Sequence, residues 1–82
     1  MKILIVYEQG TMNYCYFCEA ELERLGFQVG SIALEDYNLN LDITTTPAFL
    51  IYRDGKVGYP LLGKQNLDTL TEWATSAGVE CS

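Results

Sequence analysis

The chain reads as a minimal α/β protein, a mixed four-stranded sheet carrying helices, built from one βαβ unit, a β-hairpin and a closing helix. Three observations predict this. The segment "KILIVY" (residues 2–7) is a continuous apolar, β-branched run. Residues 14–25 repeat their apolar side chains at helical spacing before a second apolar run, "FQVGSIAL". Finally, "PAFLIYRDGKVGYPLL" holds two apolar runs on either side of an Asp-Gly pair. A length of 82 residues suits one domain, residues 1–82, with one core and one site.

"KILIVY" does not alternate, which suits a strand buried on both faces. "EQGTMN" interrupts it with a glycine and polar residues. In the following helix Cys15, Phe17 with Cys18, Leu22 and Leu25 make the apolar stripe, while Glu19, Glu21, Glu23 and Arg24 fill the other face. Asn13 is the expected N-cap and Gly26 the expected stop. The strand after Gly26 completes a βαβ unit, whose two strands run parallel. "EDYNLNLDITTT" shows no clean period and has room for one helical turn, not a full helix. In the hairpin, residues 48–52 form the first strand, Asp54-Gly55 the turn, and residues 56–62 a second strand in which Pro60 demands a sheet edge. The closing helix places Leu67, Leu70, Trp73, Ala74 and Ala77 on one face, between a start at Gln65 or Asn66 and a stop at Gly78.

Composition narrows the function classes. The net charge is -6, and Lys2, Arg24, Arg53, Lys56 and Lys64 are scattered, so no basic stripe exists for nucleic acid or an anionic membrane. The longest apolar run, residues 3–7, is far below the ~20 needed to cross a bilayer, and no basic leader or cleavage site precedes it. A cytoplasmic protein is expected. Structural disulfides are rare there, which turns attention to Cys15 and Cys18 as a catalytic, redox-sensing or metal-binding pair.

A Cys-x-x-Cys in the first turn of a helix has a physical use. Unpaired backbone N–H groups and the positive end of the helix dipole stabilise a thiolate, lowering the pKa of the first cysteine from about 8.5 into a range of ~3.5–7.5. Cys15 is then the nucleophile. Cys18, one turn on and on the same face, is within disulfide reach to resolve the mixed disulfide. Two alternatives stay open: a pair of small buried residues, or half of a metal site shared between chains. A structural zinc site within one chain needs four ligands, whereas this chain has no histidine and only Cys81 besides the pair.

Pro47 heads an otherwise central strand and cannot donate a ladder hydrogen bond. An ordinary trans proline opening a strand is the commoner case; a cis Thr46–Pro47 bond would make a tight corner and expose the backbone of Thr46 to an extended substrate.

Taken together, "CYFC" opening a helix after a strand, "TTP" leading a hairpin with "RDGKV", Gly63 and an amphipathic closing helix resemble the thioredoxin/glutaredoxin superfamily over nearly the whole chain. The resemblance implies a thioredoxin-like fold with its second helix cut to a remnant near residues 37–41, a trimming similar to phage and archaeal members. It also implies that Cys15 attacks, Cys18 resolves, and Pro47 is cis and faces the cysteines, with Thr46 offering backbone contacts. The activity implied is thiol–disulfide oxidoreduction of protein disulfides by a monomer, with no cofactor or metal beyond the dithiol. Thioredoxin reductase or glutathione would be the electron donor, and ribonucleotide reductase is a family target. "CYFC" has neither the Gly-Pro of typical thioredoxins nor the Pro-Tyr of typical glutaredoxins, and "GYPLLGKQN" lacks the Gly-Gly-acid signature of glutathione binding. A glutathione-dependent glutaredoxin and a non-catalytic docking module are the competing readings.

Among the remaining residues, Tyr14 and Tyr16 are expected to form an apolar docking rim and Phe17 to pack inward. Glu8 is expected to be a solvated loop carboxylate rather than a proton acceptor for Cys18. Arg53 and Lys56 read as solvated, Trp73 as core, and Cys81 as an exposed free thiol.

Overall fold

Strands β1 (Lys2–Tyr7), β2 (Val29–Ala33), β3 (Ala48–Arg53) and β4 (Lys56–Leu62) form one sheet in the order β2-β1-β3-β4 in the computed structural model, which describes residues 1–81. β1 runs parallel to β2 and antiparallel to β3, and β3 runs antiparallel to β4. Helices α1 (Met12–Arg24) and α2 (Leu67–Ser76) complete a small α/β protein with a mixed sheet.

β1 is central and covered on both sides. Ile3 and Ile5 pack with Phe49 and Ile51 against Leu22 of α1 and Leu70 and Ala74 of α2. On the opposite face, Leu4, Val6, Ala48 and Leu50 are covered by the segment between β2 and β3, through Leu34, Tyr37, Leu39, Leu41 and Ile43. That segment carries a single 3-10 turn at Leu34–Asp36, and the helical remnant expected near residues 37–41 is absent. Its apolar residues at 37, 39, 41 and 43 alternate with polar ones, so the segment is a strap that half-buries every second side chain; the alternation in "YNLNLDI" is the sequence signal for it. The Asn40 carboxamide fastens the strap to β4, its Nδ2 donating to Val57 O at 2.9 Å and its Oδ1 accepting from Val57 N–H at 2.7 Å.

Local signals account for the element ends. Asp54 and Gly55 both take positive φ, 53° and 81°, the type I′ geometry whose twist matches a two-residue hairpin. Pro60 sits on the edge strand β4, where the register with β3 shifts between Phe49 and Ile51, the kind of irregular edge position that tolerates a residue without N–H. α1 ends in a Schellman motif: Gly26 at φ 102° donates to Glu23 O, and Phe27 N–H donates to Leu22 O at 3.1 Å. The side chains of Leu22 and Phe27 are both buried, so the same turn stops the helix and closes the core.

The start of α1 departs from expectation. A 3-10 turn at Gln9–Thr11 leads into the helix, Thr11 is the N-cap, and Asn13 lies inside the first turn. The Thr11 hydroxyl closes this turn on Glu8, accepting from its N–H at 3.0 Å and donating to its carbonyl at 3.2 Å.

Candidate active site

The C-terminal ends of β1 and β2, the start of α1 and the residues before β3 meet at one end of the sheet. In open α/β sheets this is where ligands bind, because loops diverge there on either side of a strand. The β1–β3 register pairs Val6 with Ala48. Continued by two residues it sets Glu8 level with Thr46, and the Thr46 hydroxyl donates to Glu8 Oε1 at 2.6 Å. The Thr46–Pro47 peptide is cis, Pro47 is fully buried, and its carbonyl accepts from Gly63 N–H at 2.8 Å. By strand alternation Pro47 shares the face of Phe49 and Ile51, the face that carries the helices.

Cys15 and Cys18 lie on the inner face of α1 as free thiols, 0% and 1% exposed, in one cluster with Ile5, Leu22 and Phe49. One helical turn separates them, and each has a hydroxyl four residues upstream, Thr11 for Cys15 and Tyr14 for Cys18, that favours its ionised form. Burial pushes the Cys15 thiol up. The Thr11 hydroxyl opposes this, and Cys18 and Glu19 add to the rise. Burial likewise pushes Cys18 up against the pull of Tyr14. Tyr14 itself is pushed up to about 12, first by burial and then by its bond to Cys18.

This overturns the expectation of a thiol acidified by the helix start. With Met12 as the first helical residue, Cys15 is the fourth, and the unpaired N–H groups lie before it. Desolvation then outweighs what remains of the dipole, which falls off within the first turn.

Tyr14, expected in the docking rim, is not freely exposed. Its ring is part-buried and its hydroxyl accepts from Gln65 N–H at 2.7 Å and donates to Gln65 O. Tyr16 does project, 49% exposed, with its ring 6.1 Å from Tyr7. Phe17 points to solvent at 54% exposure, not inward, because Cys15, Cys18 and Leu22 occupy the inner stripe. Glu8 is exposed as expected, and its bond to Thr46 was not foreseen. Trp73 is part-buried, edge-on to Phe49, with its indole N–H donating to Tyr59 O at 2.9 Å. Cys81 is exposed with its sulfur against the Leu25 carbonyl.

A groove of about 610 Å³ opens beside this end of the sheet, between Tyr7, Glu8 and Met12 on one side and Leu34 and Glu35 on the other. The cysteines do not line it. Among the described residues no group of three or more His, Cys, Asp or Glu side chains could hold a metal ion, and no helix is long and apolar enough to cross a membrane. Comparison with protein families, with curated proteins and with solved structures finds no match for this chain.

Proposed function

We propose that the chain is a thiol–disulfide oxidoreductase of the thioredoxin type, with a thioredoxin-like fold trimmed of its second helix, acting on protein disulfides through Cys15 and Cys18. The observation that carries this reading is the placement of two free thiols one turn apart on α1, at the sheet end where Thr46–Pro47 is held against Glu8. The Cys15 thiolate attacks a substrate disulfide, forming a mixed disulfide and expelling one substrate thiolate. Cys18, as thiolate, attacks the Cys15 sulfur, forming the Cys15–Cys18 disulfide and expelling the second. The substrate gains two electrons, takes up two protons from water, and leaves the dithiol oxidised. The backbone at Thr46 is the natural rail for the extended segment flanking the substrate disulfide.

Regeneration needs an external reductant. A flavoprotein reductase of the thioredoxin reductase kind suits this surface better than glutathione, because Glu8 and Glu35 border the adjacent groove and repel an anionic tripeptide. In a reducing compartment such as the cytoplasm the pair runs reductively, and ribonucleotide reductase is one substrate of fitting chemistry.

One observation favours a second reading, a docking module without turnover: both thiols are buried and raised, while Tyr16 and Phe17 present apolar surface beside them. Insulin reduction coupled to thioredoxin reductase separates the two. On the oxidoreductase reading Cys15→Ser abolishes turnover, and Cys18→Ser traps a mixed disulfide with substrate. Turnover that survives Cys15→Ser sinks the reading, and no turnover in the parent chain with either donor favours docking.

A further inference from the structure

Neither sulfur has an ionised partner inside the fold. No polar or charged residue is buried among the described residues, and the chain contains no histidine. What each sulfur does have, four residues upstream, is a hydroxyl wired to the backbone in the same way. The Thr11 hydroxyl accepts from Glu8 N–H and donates to Glu8 C=O; the Tyr14 hydroxyl accepts from Gln65 N–H and donates to Gln65 C=O. Each oxygen is anchored by a backbone N–H, leaving one proton free to rotate. Each stands four residues before a cysteine, the spacing that stacks side chains on one helix face.

We propose that Thr11 and Tyr14 are two-position donors, each holding its proton on a backbone carbonyl while its cysteine is a thiol and swinging it onto the sulfur when that cysteine ionises, Thr11 serving Cys15 and Tyr14 serving Cys18. The oxygen need not move, because the N–H bond that anchors it survives the swing. The exchange trades a neutral hydrogen bond for a charge-assisted one, roughly twice as strong, at the moment charge develops. They are positioning residues, and they act without any acid or base of their own. Cys15 also faces Glu19 and Cys18 on its own helix, both of which oppose its ionisation. From the loop before α2, Lys64 Nζ lies 5.4 Å from the centre of the Tyr14 ring, a cation placed against one of these donors. The proposal rests on the oxidoreductase reading for its purpose, but its test needs no substrate.

The test is a pH titration of the reduced protein, with carbon-13 Cβ shifts reporting Cys15 and Cys18 separately. Thr11→Val raises the Cys15 midpoint by about one pH unit and leaves Cys18 in place, whereas Tyr14→Phe does the reverse. Thr11→Ser, which keeps the hydroxyl, keeps the parent Cys15 midpoint. A fluorotyrosine at position 14, a stronger donor of the same shape, moves the Cys18 midpoint down, and it gives a readout should Tyr14→Phe not fold. A variant that leaves its own sulfur unmoved, or that shifts both sulfurs alike, overturns the proposal. Expected midpoints with no insulin reduction would instead remove the oxidoreductase reading alone.

Discussion

Thr46 and Glu8 are joined across the top of the sheet, Oγ1 to Oε1 at 2.6 Å, by residues 38 positions apart in sequence. The bond ties the corner before β3 to the exit of β1, and on the proposed function it holds the backbone rail beside the cysteines. Thr46→Val keeps the shape and removes the donor. Because the pair is exposed, the unfolding free energy should fall by no more than about 1 kcal/mol. Insulin reduction should fall by about threefold to tenfold through misplacement of the rail. Turnover equal to the parent's would show that the tie does not position the corner.

Asn40 tests the strap. Its carboxamide satisfies both the N–H and the C=O of Val57 on the edge strand β4. Asn40→Ala should cost about 1–3 kcal/mol, seen as a lower urea midpoint at unchanged slope. Asn40→Asp should cost more, since a carboxylate oxygen then faces the Val57 carbonyl where a donor stood. A midpoint shift within error for both variants would mean that the strap is held by its alternate apolar residues alone.

The dependence of stability on pH has a definite sign. The folded chain holds protons on Cys15, Cys18 and Tyr14 that the unfolded chain releases, because all three are raised, Tyr14 to about 12. The native state therefore binds more protons than the unfolded state above the ordinary thiol value of about 8.5. Stability should be level through neutral pH, decline as pH rises past about 8.5, and decline further past the ordinary phenol value of about 10. Chemical denaturation across this range checks it, and the Cys15→Ala/Cys18→Ala protein should lose the first part of the decline. Stability that rises between the two values would contradict the burial of the thiols.

Phe49 is the centre of the helix-side core, fully buried and edge-on to Trp73 at 6.5 Å between ring centroids. Phe49→Ala should cost about 3–5 kcal/mol. A domain of this size has only about 4–12 kcal/mol in total, so the variant should be marginal or unfolded at 37 °C. Trp73 fluorescence reports it directly, and Phe49→Leu should remain folded with a smaller loss.

Much of the fold was legible because its signals are local. The uninterrupted run in β1 required two covered faces, Asp54-Gly55 required a type I′ turn, and Gly26 required a left-handed helix stop, each decided within a few residues by sterics and hydrogen bonding. Asn13 was misread because Thr11 captures Glu8 through a 3-10 turn, which starts the helix earlier than a search for a capping residue suggests. The strap was legible in the alternation of "YNLNLDI", but the family resemblance implied a helix remnant there instead.

The sequence by itself determined the order and type of the strands and helices, and that two cysteines share one helix face, since backbone geometry and side-chain periodicity settle both without reference to the rest of the chain. Tertiary structure alone decided how those cysteines behave. Whether a thiol is acidified at a helix start or raised by burial depends on what packs over it, here Ile5 and Phe49 from the sheet. The partner of the Tyr14 hydroxyl is Gln65, 51 positions away. Desolvation and long-range hydrogen bonds are properties of the assembled fold, so on the proposed function the motif marks where the chemistry would sit and the packing around it would set the pH at which it runs.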